Sequence, residues 1–157
     1  AGGQQRVQLR LPDGHPQRRQ LIETALRSVR GPMQWLLNRD IELARSLGVG
    51  VHLGSEQLAT LQQRPLPAGQ LVAASCHDLA QLQAAQQLGC DFVVLGPVQS
   101  TATHPGATPM GWDSFADLRA RVALPIYALG GLGVADIGTA RRHGAQGVAA
   151  IRGLWPE

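Results

Sequence analysis

Leu88-Gly89-Cys90-Asp91-Phe92-Val93-Val94-Leu95-Gly96-Pro97 shows a helical stretch ending at a glycine, then four apolar residues in a row, then a second glycine. A helix-ending glycine followed by a strand also occurs at Leu47-Gly48-Val49-Gly50-Val51 and at His143-Gly144-Ala145-Gln146-Gly147-Val148. Gly48, Gly89 and Gly144 fit the position just past a helix, where a left-handed backbone is cheap only for glycine. Working outward, short apolar runs predict strands at Val7–Leu11, Met33–Leu37, Val49–Leu53, Leu71–Ser75, Phe92–Leu95, Ile126–Leu129 and Val148–Ile151. Between them, Gln17–Val29, Asp40–Leu47, Leu79–Leu88, Ser114–Val122 and Val134–His143 carry apolar residues at helical spacing, and Glu56–Gln63 reads as a shorter helix. Strict alternation of strand and helix means a parallel sheet.

The internal repeat favours a closed α/β barrel of the TIM type over a doubly wound sheet. Seven units are one short of eight, and the chain starts almost directly on a strand. The expectation is one barrel domain over residues 1–157 whose first strand is missing, with an upstream domain preceding it in a longer protein. An open barrel exposes two parallel strand edges.

Composition narrows the chemistry. The chain has 157 residues, 44% of them apolar, enough for one sizeable core. All fourteen basic residues are arginine, which excludes any Schiff-base or phosphate-binding lysine. The net charge of +3 is scattered, with no basic block and few aromatics, so the domain is not expected to bind nucleic acid. No apolar run approaches a membrane span, no signal peptide is visible, and a cytoplasmic location without membrane attachment is expected. Cys76 and Cys90 read as buried free thiols.

In a barrel the reactive face lies at the C-terminal strand ends. Ala128-Leu129-Gly130-Gly131-Leu132-Gly133 and Ala150-Ile151-Arg152-Gly153 follow the last two strands, and their backbone N–H groups suit an anion. Phosphate is therefore expected at Gly130, Gly131, Ile151, Arg152 and Gly153, the alternative being that the glycines only make tight turns. After Gly96-Pro97 comes a long connection, Val98 to Gly111, whose four hydroxyls and His104 could close over a phosphorylated group. Gln8 and Arg10 alternate onto the lumen face if Val7, Leu9 and Leu11 pack on helices. An arginine buried there needs an anion, which points to a ligand. Asn38 and Ser75 end strands. His52, within a strand, reads as a hydrogen-bonded core histidine, while His77 stays open. No cluster has metal-ligand spacing, and neither a nucleophile elbow nor a P-loop is present.

Together, Val7-Gln8-Leu9-Arg10, Leu36-Leu37-Asn38, Gly50-Val51-His52-Leu53-Gly54, Ala74-Ser75-Cys76-His77, Gly89 to Val98, Thr101-Ala102-Thr103 and Gly130-Gly131-Leu132 resemble the thiamine phosphate synthase and thiazole tautomerase (TenI-like) superfamily of barrels. The resemblance runs in order from that family's second strand to its eighth. It is strongest to bacterial barrels fused behind Nudix hydrolase domains, through Ala74 to Asp78, His104-Pro105-Gly106-Ala107 and Ala145 to Trp155.

The resemblance implies a magnesium-assisted reaction in which a hydroxymethylpyrimidine diphosphate loses pyrophosphate and a thiazole phosphate nitrogen captures the cation. It implies that Gln8, Arg10, Asn38, Ser75, Thr101 and Thr103 meet the pyrimidine diphosphate, and that Gly130, Gly131, Ile151 and Arg152 meet the thiazole phosphate. The departures gather on the diphosphate side. Two expected lysines are Pro12 and His104, and two expected magnesium-binding aspartates are Arg39 and Gln57. An arginine or an amide cannot replace hard anionic ligands, so no metal cofactor is expected. Pro97 stands where the tautomerase branch places its histidine. Two functions remain. One is an enzyme of thiamine metabolism, a synthase or an isomerase moving protons through His77 or His104. The other is a non-catalytic ligand sensor or scaffold for a fused Nudix hydrolase. The expected partners are a phosphorylated small molecule, the upstream Nudix domain and a second copy in a homodimer.

Overall fold

The computed structural model describes residues 6–12, 14–29, 31–101, 105–151 and 154. Strands and helices alternate throughout: β1 (Arg6–Leu9), α1 (Arg18–Ser28), β2 (Gln34–Asn38), α2 (Ile41–Leu47), β3 (Gly50–Leu53), α3 (Ser55–Thr60), β4 (Val72–Cys76), α4 (Leu79–Leu88), β5 (Phe92–Leu95), α5 (Gly111–Arg119), β6 (Ile126–Leu129), a 3-10 turn (Val134–Asp136), α6 (Ile137–Arg142) and β7 (Gly147–Ala149). The seven strands pair in sequence order, every pairing parallel, and β1 does not pair with β7. The result is a curled half-barrel, a TIM-type barrel lacking one strand.

Alternation along the strands separates two cores. The larger one faces the helices and includes Leu37, Val51, Val72, Val93 and Ile126, none with measurable exposure beyond 0%, with Phe115 of α5 equally enclosed. The smaller one fills the lumen with Leu36, Ala73 and Phe92, against which Leu71 and Tyr127 pack. Leu9 and Leu11 lie on the helix side, so Gln8 and Arg10 take the lumen parity. Arg6 crosses the lumen from the edge strand. Its Nε donates to Gln34 Oε1 at 2.6 Å, its Nη1 to Tyr127 Oη at 2.9 Å, and its guanidinium lies 4.5 Å from the centre of the Phe92 ring.

The turns follow the sequence signals closely. Gly48, Gly89 and Gly144 adopt φ of 68°, 78° and 87° at the ends of α2, α4 and α6. Asp40 and Asp78 cap α2 and α4 by accepting from Leu43 and Gln81 N–H. Cys76 and Cys90 are free thiols, raised to about 12 and about 11 chiefly by burial.

Three expectations need correction. The last strand stops at Ala149, leaving Ile151 beyond the sheet and exposed. The helix expected over Val134–His143 begins as a 3-10 turn, because the Asp136 carboxylate reaches back to the Gly133 N–H at 2.9 Å. Arg10 is exposed rather than buried, since β1 is an edge strand that ends at Leu9.

Asp91, in the turn that opens the chain onto β5, ties three segments together. One carboxylate oxygen accepts from Val72 N–H and from Arg64 Nη2, both at 2.7 Å, and Asp91 N–H donates to Val72 O. Replacing Asp91 by Ala should lower the unfolding free energy by about 1–3 kcal/mol, because the Val72 donor loses its partner. Urea denaturation measures this, and an unchanged midpoint would refute the role.

Candidate functional site

The lumen parity of β1 to β4 places four polar side chains at the C-terminal mouth. Gln8 Nε2 donates to Asn38 Oδ1 at 2.6 Å. Asn38 is in register with His52 on the neighbouring strand. His52 Nε2 lies 2.8 Å from Ser75 Oγ. Gln8, Asn38, His52 and Ser75 thus run across four consecutive strands as two hydrogen-bonded pairs. His52 is 6% exposed, and its pKa falls from 6.5 to about 4. Burial is the largest cause, followed by the positive charges of Arg10 and Arg39. The imidazole is neutral at pH 7. The sequence reading of His52 as a hydrogen-bonded core histidine holds, but its pairing with Ser75 was not visible there.

Beside this row, Arg10, Leu11, Pro12, Asn38 and Arg39 line a hollow of about 420 Å³. Arg39 turns sharply out of β2 with φ of 63°, and its Nη1 meets Glu56 Oε1 at 2.5 Å. Gln57 holds the adjoining backbones: its Oε1 accepts from Gly54 N–H at 3.1 Å and its Nε2 donates to Arg39 O at 2.9 Å. At position 39 there is thus a cation already facing a carboxylate, and at position 57 an amide with both ends engaged. These residues do not fit magnesium, which requires anionic oxygens free to bind it. Among the described residues no group of three or more His, Cys, Asp and Glu side chains could hold a metal ion.

On the other flank, the loop after β5 is closed at its base, with Met110 N–H donating to Pro97 O and Gly111 N–H to Val98 O. Val98 and Gln99 N–H groups then donate to Leu129 O and Gly130 O, so the loop is tied to the backbone at the end of β6 and just after it. Gly130 and Gly131, at φ of 106° and 66°, make this approach feasible. A Cβ on Gly130 would stand 2.6 Å from Pro97 Cα, and one on Gly131 would stand 2.4 Å from Ser100 O. Loop packing therefore accounts for both glycines whether or not an anion also binds. The Asp136 carboxylate already takes the Gly133 N–H. Thr101 lies in the described part of the loop. Thr103 and His104 lie outside the described residues, as do Arg152 and Gly153.

His77 follows β4 on the same parity as Ser75. Its Nδ1 donates to Gly96 O at 2.6 Å, which leaves Nε2 as the acceptor on an exposed ring. Sequence reasoning missed Arg6, Gln34 and Tyr127 as lumen residues. The only signal was their parity with Gln8, Leu36 and Leu129.

The fold and these side chains define a βα-barrel domain with a polar mouth at its C-terminal strand ends. The chain belongs to the thiamine monophosphate synthase family, whose model matches residues 1–154. It is 32% identical over 156 residues to a thiamine-phosphate synthase of Chloroflexus aurantiacus, covering 96% of this chain and 71% of that protein. It is 35% identical over 159 residues to a putative thiamine-phosphate synthase of Geobacter sulfurreducens, covering 98% and 75%. A longer thiamine-phosphate synthase of Prochlorococcus marinus is 36% identical over 119 residues, and the match spans only 34% of it. Among solved structures, thiamine phosphate pyrophosphorylase from Pyrococcus furiosus shares the fold, with a TM-score of 0.66 at 20% identity over 96% of this chain and 73% of that one. No helix among the described residues is long and apolar enough to cross a membrane.

The depressed His52 pKa carries a pH consequence. Between about 4 and 6.5 the unfolded chain binds a proton that the folded one refuses. The stabilisation is therefore fully present above pH 6.5 and is lost as pH falls toward 4, by roughly 3 kcal/mol in all. His52→Gln should flatten this part of the stability profile relative to the unmodified protein. Parallel curves for the two proteins from pH 7 to pH 4 would refute it.

Proposed function

We propose that this domain binds a phosphorylated pyrimidine- or thiazole-type ligand at the barrel mouth and serves thiamine biosynthesis or salvage. The observation that supports this reading is the row Gln8, Asn38 and Ser75 on lumen-facing strand ends of a chain in the thiamine monophosphate synthase family. The amides and the hydroxyl would orient a heterocycle. Thr101 and Thr103 would face a diphosphate. Gly130, Gly131, Ile151, Arg152 and Gly153 would receive a thiazole phosphate. His77 has an acceptor nitrogen at the rim, and it and His104 are the candidates for moving a proton. Bond cleavage in the synthase sense expels pyrophosphate and leaves a pyrimidine-methyl cation for the thiazole nitrogen. The arginines near Asn38 would meet the charge that develops on the leaving group.

The Arg39–Glu56 ion pair favours a second reading, because it stands where the resemblance implies a magnesium carboxylate. In that reading the domain is a ligand sensor or scaffold for a Nudix hydrolase domain upstream of it, and carries out no turnover itself.

Assays with hydroxymethylpyrimidine diphosphate and thiazole phosphate separate the two. Synthase turnover is expected to be below the ordinary enzymatic range in the unmodified protein. It should rise and become magnesium-dependent in the Arg39→Asp, Gln57→Asp double variant, only weakly because Pro12 and His104 still replace lysines. Formation of thiamine phosphate by the unmodified protein at about 0.1–10 per second would overturn the sensor reading. Failure of both proteins to bind either precursor would overturn the ligand assignment.

A further inference from the structure

Among the described residues, the hollow beside Asn38 is lined by two arginines and by no carboxylate. Arg10 lines it, is exposed, and has no carboxylate within ion-pair distance among the described residues. Arg39 lines it too, with Glu56 as its one anionic partner among the described residues. That pair is 50% and 57% exposed, and an ion pair so open to water contributes little stability. Other contacts set the course of Arg39. Its N–H donates to His52 O at 2.8 Å and its carbonyl accepts from Gln57 Nε2, so the backbone stays in place if Glu56 lets go. The pair also lies directly over Gly54, where a Cβ would stand 2.7 Å from Glu56 Oε1 and 2.9 Å from Arg39 Nη2.

We propose that Arg10 and Arg39 form a metal-independent clamp for a diphosphate or phosphate group, and that the incoming anion takes the place of the Glu56 carboxylate on Arg39. A guanidinium offers paired N–H donors that match a phosphoryl edge as they match a carboxylate, so the exchange conserves geometry. Glu56 then acts as an internal competitor that keeps Arg39 ordered when the hollow is empty. The clamp rests on the reading that the mouth takes a phosphorylated ligand, but it makes the opposite demand on magnesium from the one the family resemblance implies.

Titration calorimetry with inorganic pyrophosphate, in EDTA and then in excess magnesium, tests it. Binding is expected in EDTA, without tightening by magnesium. Arg39→Gln should weaken it by about tenfold or more, and Glu56→Gln should tighten it by about threefold. Glu23→Gln, on α1 and paired with Arg19, controls for the general gain from removing one negative charge and should leave the affinity nearly unchanged. A requirement for magnesium, or indifference to Arg39→Gln, would overturn the clamp. Equal effects of Glu56→Gln and Glu23→Gln would overturn the exchange. If thiazole phosphate binds while pyrophosphate needs magnesium, the clamp alone fails. If pyrophosphate binds in EDTA but neither thiamine precursor does, the clamp stands and the functional reading falls.

Discussion

Everything in this molecule depends on the burial of one face of a parallel sheet. Leu37, Val51, Val72, Val93 and Ile126 are pressed against the helices, and because side chains alternate along a strand, that choice dictates what faces the lumen. A shift of one residue in any strand would send its apolar set inward and its polar set against the helices, so register is strongly specified. Across β1 to β4 the lumen residues at the mouth are polar, and an apolar floor lies beneath them. Leu36, Ala73 and Phe92 form the floor, and Arg6 bridges it from Gln34 to Tyr127. Gln8, Asn38, His52 and Ser75 form the row above.

That row gains its chemical character from depth. His52 sits low enough to lose nearly all contact with water, and two arginines near the mouth add to the penalty for protonating it. A neutral imidazole can hold the Ser75 hydroxyl in place without introducing a charge. One strand-end away, Arg39 and Glu56 are half exposed, and there the same physics makes the ion pair exchangeable. Burial thus divides the mouth into a fixed neutral part and an adjustable charged part.

The opposite flank shows how close packing can be mistaken for ligand binding in a sequence. Gly130 and Gly131 read as an anion cradle, yet the loop after β5 lies against both of them so closely that any side chain would collide with Pro97 or Ser100. The two roles are compatible, since backbone N–H groups can face an anion while the missing side chain admits a neighbouring loop. The structure accounts for the glycines by the second role alone.

Seven strands, their order and their parity were legible in the sequence because each rests on local signals: an apolar run, a capping glycine, a helical period between. So were the caps at Gly48 and Gly89, the buried thiols and the lumen position of Gln8. Side-chain contacts between residues distant in sequence were not legible, because nothing in the order of residues records which side chains meet once the sheet curls. Arg6 reaching Tyr127, His52 pairing with Ser75 and Arg39 turning to Glu56 all belong to that class. Arg10 marks the boundary between the two kinds of information. Its parity followed from alternation along a strand, but its exposure followed from β1 being an edge, which only the assembled sheet decides.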